Sequence, residues 1–210
     1  MILYTPSRIE KPKNLIDVPS AWKGLEYIIK DIIIMFEVKN DKALEFGVEF
    51  GFSTVALSNY FTKVIGVDTF EGDEHTLHKN IEGLYEAVQS IMPHNVLLIK
   101  SDYKDYKDDE IYDMIHVDIV HTYADTFNCG DWALNHSNLV IFHDTESFKD
   151  VRKAVEDLSV KHNAIFYNYP FYHGLGILWK SQSSYPTEYL KTLLRPSQAS
   201  KINRTATLIP

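Results

Sequence analysis

Short apolar runs alternate with helically spaced stripes along most of this chain, and this order constrains the fold more than any other feature. Lys63–Asp68 (KVIGVD), Val96–Lys100 and Leu139–Phe142 are strand-length runs dominated by aliphatic and β-branched residues. Ala43–Gly47 and Met114–Asp118 read the same way. Between these runs, Ser53–Tyr60, Ala124–Leu134 and the stretch marked by Val151, Val155 and Leu158 have helical spacing. Leu77, Ile81, Leu84, Val88 and Ile91 mark another helix. Upstream, Trp22, Leu25, Ile29, Ile32, Ile33 and Phe36 recur every three or four residues, which predicts a helix from Ser20 onward.

Strand-helix repetition predicts an α/β fold with a mostly parallel sheet and helices on both faces. The end of the pattern differs. Ala164–Tyr169 and Gly174–Trp179 are strand-like runs separated only by a short turn segment holding Pro170 and Gly174. A parallel crossover needs about a dozen residues, so this pair must be an antiparallel hairpin. The total is a Rossmann-like, seven-stranded sheet in a single domain over 20–180. Residues 1–19, with Pro6, Pro12 and Pro19, read as an N-terminal arm. Residues 181–210 read as a C-terminal extension with one weakly helical stretch, Glu188–Leu194.

Composition narrows the class of partner. The formal charge of -8 argues against a nucleic-acid binder. Cys129 is the only cysteine, so no intramolecular disulfide can form. The start of the chain shows no apolar signal-peptide core, and the greasiest run, Ile28–Val38, is broken by Lys30, Asp31 and Glu37. The expectation is a cytoplasmic protein with no membrane contact. The Ser20–Phe36 segment can cover the cleft, pack on its own domain or form a homo-oligomer contact.

Ligands of open parallel sheets bind at the carboxyl ends of the strands. The first strand runs into Glu45-Phe-Gly47-Val-Glu-Phe-Gly51-Phe-Ser53-Thr54, where glycines permit a tight turn and a close ligand. Ser53 or Thr54 can cap the next helix. The second strand ends at Asp68, placed 21 residues after Gly47, the distance at which a strand-end acid reaches ribose hydroxyls. The third strand ends at Ser101-Asp102, where an acid can meet an adenine amino group. The fourth and fifth strands end in Asp118, His121, His143, Asp144 and Glu146. Spacing allows these to converge on one point. Carboxylate oxygens suit Mg²⁺, and added imidazole also admits Mn²⁺ or Zn²⁺.

These motifs resemble those of class I S-adenosylmethionine-dependent O-methyltransferases, in particular the macrocin-type (macrolide-sugar) family. The resemblance spans roughly Ala43–Lys180 and rests on Glu45–Thr54, VDTFEGD, Asp118-x-x-His121-x-Tyr123, His143-Asp144 and HGLGILWK. It implies an S-adenosylmethionine site at Glu45, Gly47, Gly51, Ser53, Thr54, Asp68, Ser101 and Asp102. It implies a metal, Mg²⁺ in first place, on Asp118, His143 and Asp144, with His121 as general base. This chain carries His143-Asp144 where metal-dependent relatives usually have two carboxylates or an Asp-Asn pair. The implied reaction is methyl transfer to a hydroxyl of a small molecule, a sugar or a phenol. A metal-independent N-methyltransferase and a non-catalytic S-adenosylmethionine-binding module are the alternatives. A nicotinamide-binding oxidoreductase is disfavoured because Gly-x-Gly-x-x-Gly is absent.

Overall fold

In the computed structural model, residues 1–73, 76 and 79–180 are described. They form one eight-stranded sheet in the order β1-β7-β8-β6-β5-β2-β3-β4. The strands are β1 (Ile2–Leu3), β2 (Lys42–Phe46), β3 (Lys63–Asp68), β4 (Val96–Lys100), β5 (Met114–Val117), β6 (Leu139–His143), β7 (Ile165–Tyr169) and β8 (Leu175–Trp179). The helices are α1 (Ile29–Met35), α2 (Phe52–Ser58), α3 (Leu84–Ile91), α4 (Tyr123–His136) and α5 (Lys149–Lys161). Every pairing is parallel except those of β8 with β6 and β7. The hairpin deduced from turn length is therefore present.

The sheet has eight strands where the sequence pattern predicts seven. The additional one is β1, whose Ile2 and Leu3 pair with Tyr167 and Asn168 of β7. A two-residue strand is too short to carry a periodic signal. Its neighbour Tyr4 is buried and donates a hydrogen bond to the buried Asp31 of α1 at 2.6 Å, so the arm is tied to the first helix.

Alternate residues of each strand feed opposite layers, because side chains alternate across a sheet. Ala43, Val64, Met114 and Ile141 pack beneath α1 and α2 with Ile29, Ile32, Phe36, Ala56 and Leu57. Leu44, Ile65, Ile115 and Val140 point to the other face, against Cys129, Ala133 and Leu134 of α4 and Leu158 of α5. Leu84 and Val88 of α3 cover Val48, Phe70 and Leu98.

Two predicted helices are shorter than their apolar stripes. Trp22, Leu25, Ile29, Ile32, Ile33 and Phe36 are all buried, as one face should be. Regular α-helix begins only at Ile29, after a 3₁₀ turn at Leu25–Tyr27. Gly24, at φ 111°, breaks the helix before that turn. The third helix starts after Gly83, at φ 74°, and leaves Ile81 outside it and largely exposed. Leu77 lies outside the described residues, as do Glu188–Leu194 and the rest of 181–210.

The topology also fixes where a ligand can sit. From β2 the chain winds outward through β3 to β4, then returns to place β5 on the other side of β2. Strand order reverses between β2 and β5, which opens a crevice above their carboxyl ends.

Candidate active site

One wall of the crevice is the loop after β2. Gly47 has φ 91°, and a Cβ there would overlap the Asp118 carbonyl oxygen, so only glycine lets the two strand ends approach. Asp68, at the end of β3, holds this loop. Its Oδ2 accepts from the Val48 and Glu49 amides at 2.7 and 2.8 Å, and its Oδ1 accepts from the Phe70 amide at 2.7 Å. A carboxylate has about four lone-pair sites, so room remains for a ligand hydroxyl on Oδ1. Ser101 is brought beside Asp68 by a 2.9 Å bond from its amide to the Asp68 carbonyl. Asp102 follows, half-buried, with Oδ1 accepting from the Lys104 amide at 2.8 Å. Asp68, Ser101 and Asp102 therefore lie along one edge of the crevice.

Glu45 and Thr54 are placed differently. Both are fully buried, beneath the loop rather than in the crevice. Thr54 donates its hydroxyl to Glu45 Oε2, and Glu45 Oε1 lies 2.8 Å from His116 Nδ1. The pairing follows from register: Glu45 of β2 sits opposite His116 of β5, so their side chains share a face. The N-cap position of α2 is Gly51, at φ 86°, and neither Ser53 nor Thr54 caps the helix.

The second wall holds the ionisable cluster. Asp118 follows β5, His143 ends β6, and Asp144 comes next in the left-handed region at φ 65°. His143 Nδ1 lies 3.2 Å from both Asp118 Oδ2 and Asp144 Oδ2. His121 Nε2 lies 2.7 Å from Asp144 Oδ2 and 3.9 Å from Asp118 Oδ1. The His121 ring stacks on Phe148 at 4.1 Å and 7°, which fixes its plane. Asp118, Ile119, His121, Thr126 and His143 line a small recess. Glu146 is not part of the cluster: it is exposed and bonds Arg152 and Asn168. Tyr123 is also elsewhere, with its hydroxyl on Asp157 at 3.0 Å.

Mutual attraction sets the protonation of this cluster. Burial favours neutral imidazoles, but the facing carboxylates outweigh it. Hydrogen bonding to Asp118 and Asp144 raises His121 to about 9. Attraction to Asp118, with bonding to both acids, raises His143 to about 10. Burial likewise opposes ionisation of Asp118, yet His143 and His121 hold its carboxyl well below the usual range. Asp144 is lowered by the same two histidines.

The donor set fits a divalent cation. Ligand atoms of Asp118, His143 and Asp144 lie within 4.8 Å of one another. His143 Nε2 faces the Tyr172 carbonyl at 3.3 Å. In the neutral ring that a metal would bind, a proton on Nε2 satisfies that carbonyl and the Nδ1 lone pair is aimed at the gap between the carboxylates. This is the outer hydrogen bond expected of a metal-binding histidine.

Three features of the site were not singled out by sequence reasoning. Glu49 stands in the loop at φ 51°, and its carboxyl is raised to about 7 by burial and by Asp118, Asp68 and Asp73, with His143 pulling the other way. His116 reads as one more residue of an apolar strand and becomes meaningful only beside Glu45. Tyr172 contributes its backbone carbonyl, which no side-chain motif can reveal.

No known family profile matches the chain. Uncharacterized protein y4gI of Sinorhizobium fredii (strain NBRC 101917 / NGR234) is 28% identical over 189 residues, which cover 79% of this chain and 20% of that protein. The chain thus spans about a fifth of the length of this curated relative. Among solved structures, CalS10 of Micromonospora echinaspora, an amino pentose methyltransferase solved with S-adenosylmethionine bound, superposes with a TM-score of 0.58 at 9% identity, covering 80% of this chain and 99% of that one. A Staphylococcus aureus protein assigned to the caffeoyl-CoA O-methyltransferases gives 0.57 at 17% identity, covering 80% and 86%. The O-methyltransferase NovP gives 0.55 at 15% identity, covering 72% and 75%. At these identities the likeness is one of fold: the chain shares the mostly parallel, Rossmann-like sheet with antiparallel terminal hairpin on which these methyltransferases are built.

Proposed function

We propose that this protein is an S-adenosylmethionine-dependent methyltransferase that methylates a hydroxyl of a small molecule, a sugar or a phenol, with Mg²⁺ held by Asp118, His143 and Asp144. The observation that carries this reading is the contact of Gly47 with the Asp118 carbonyl. It makes the loop suited to the cofactor and the cluster suited to the acceptor two sides of one crevice. The fold likeness to methyltransferases adds weight. The formal charge of -8 favours a small acceptor over a nucleic acid.

Each residue then has a task. Asp68 accepts the ribose hydroxyls, and Ser101 and Asp102 line the adenine end. The loop from Gly47 to Gly51 passes along the methionine portion, with Glu45 and Thr54 supporting it from below. Bound at Asp118, His143 and Asp144, Mg²⁺ would lower the pKa of an acceptor hydroxyl. His121 takes the acceptor proton at Nε2, with Phe148 holding its ring in plane. As the cluster stands, His121 is already protonated at neutral pH. A cation held by Asp118 and Asp144 would offset the two charges that raise His121 and so would let it serve as a base.

The test is methyl transfer to a panel of sugar, phenol and amine acceptors, with Mg²⁺ and with a chelator, for wild type and Asp144→Asn. The reading expects turnover on a hydroxyl acceptor, loss with chelator and loss in the variant. Full activity in chelator on an amine acceptor would replace it with metal-independent N-methylation.

A further inference from the structure

The chain before α1 runs from the arm to the 3₁₀ turn through Ser20–Gly24, and this short segment meets the site at three points. Trp22 is buried, and its indole Nε1 donates to His116 Nε2 at 3.2 Å. Lys23 places its ammonium 5.7 Å from the ring centroid of Phe52, the first residue of α2. Gly24 lies so close to the Tyr172 ring that a Cβ would overlap it. Its amide is held by the buried Glu26 carboxyl at 2.5 Å. The segment therefore touches β5, α2 and the β7-β8 turn whose carbonyl meets His143.

The contact with His116 has a direction. An indole N–H can only donate, so His116 Nε2 must be the acceptor and the proton of the neutral ring sits on Nδ1. Nδ1–H then donates to Glu45 Oε1, and Thr54 donates to Glu45 Oε2. Trp22, His116, Glu45 and Thr54 form one chain of donors and acceptors in which each step fixes the next. Trp22 is buried, and His116, Glu45 and Thr54 are fully so. Without the indole N–H, His116 Nε2 is left without that donor. The Nδ1–H bond to Glu45 then holds the ring from one side only, and the tie between β5 and the root of the Gly47–Gly51 loop is weakened.

We propose that Trp22 is a positioning residue for the cofactor loop, acting through His116, Glu45 and Thr54 without touching the cofactor. The proposal rests on the methyltransferase reading for its effect on binding, but the coupling of Trp22 to the loop can be read without any ligand.

The experiment uses Trp22→Phe, which keeps an aromatic ring and removes the N–H, together with Thr54→Val and the double variant. Hydrogen exchange of the ligand-free proteins is expected to be faster over 45–54 in Trp22→Phe and to stay as in wild type over β7 and β8. The affinity for S-adenosylmethionine is expected to fall about five- to ten-fold, the effect of one lost buried hydrogen bond. Turnover at saturating cofactor should stay within about two-fold, because the acceptor cluster is not in this chain of bonds. The two single changes should be non-additive in exchange rate because Trp22 and Thr54 are linked through His116 and Glu45. Unchanged exchange over 45–54, or strictly additive variants, overturns the coupling. If the loop exchanges faster and wild type still ignores S-adenosylmethionine, the coupling stands and the methyltransferase reading fails. A variant with a lower melting midpoint but wild-type exchange in the loop would mean that Trp22 is only core, and would end the proposal.

Discussion

Glu49 is the residue whose ionisation most directly reports what the crevice is for. Its carboxyl titrates near 7 because burial and three neighbouring acids oppose its charge. It therefore holds its proton just below neutrality and gains a negative charge just above. A cofactor with a sulfonium and an ammonium should bind more tightly as pH rises from about 6 to about 8, and Glu49→Gln should flatten that slope. Calorimetry across the range checks this, and an equal slope in the variant would remove Glu49 from the account. The sign for folding is opposite. A carboxyl raised above its ordinary value costs stability as pH climbs between that value and the raised one. Ligand-free Glu49→Gln should accordingly be more stable than wild type at about pH 8. At Gly47, substitution by Ala forces a Cβ into the Asp118 carbonyl at φ 91°. A loss of about 2 kcal/mol or more is expected in urea unfolding, and an unshifted midpoint would contradict the close approach.

Much of the residue scale was legible because parallel sheets put chemistry at strand ends. Asp68, Asp118, His143 and Asp144 could be placed on the crevice from strand boundaries alone, and the structure brings the last three together. Glu45 and Thr54 are different. Their motif marks the loop, but that they support it from below depends on Glu45 meeting His116, a partner 71 residues away. Register decides that meeting, and register is a property of the assembled sheet.

At the scale of elements, the hairpin was readable because loop length alone forbids a crossover. The start of α1 was not, because its apolar stripe continues through a turn that buries the same face, and the start of α3 was not, because Ile81 keeps helical spacing although it lies exposed outside the helix. The edge strand β1 was also hidden, its two residues being held by β7 and by the Tyr4–Asp31 bond. Tyr4→Phe should cost about 1–3 kcal/mol, since it leaves a buried carboxyl short of a donor. A denaturation midpoint equal to wild type would show that the arm contributes nothing to the fold. The β7-β8 turn carries strain: Tyr172, His173 and Gly174 all have positive φ, at 54°, 68° and 91°. It is held against the next wall by the His173 carbonyl, which accepts from the Glu146 and Ser147 amides at 2.9 and 3.2 Å. A Cβ at Gly174 would stand 2.6 Å from the Glu146 nitrogen. Gly174→Ala should therefore lower stability by about 1–3 kcal/mol and loosen Tyr172 from His143. Retention of full stability would mean that the turn accommodates a side chain.

At the scale of the whole molecule, a single topological reversal between β2 and β5 places two sets of residues against one crevice. One set, around Asp68, presents hydrogen-bond acceptors and the glycine-bracketed loop from Gly47 to Gly51. The other, around Asp118, presents two carboxylates and two imidazoles. Among the described residues no helix is long and apolar enough to cross a membrane. The arrangement asks for a ligand that spans both walls, with hydroxyls at one end and a reactive centre at the other. S-adenosylmethionine meets that description, and its binding is the central claim. Calorimetric titration of S-adenosylmethionine into the purified protein, with NAD as the comparison ligand, tests it most directly. The account predicts saturable binding at one equivalent per chain and no heat with NAD. A flat titration with S-adenosylmethionine, or saturable binding of NAD in its place, would contradict it.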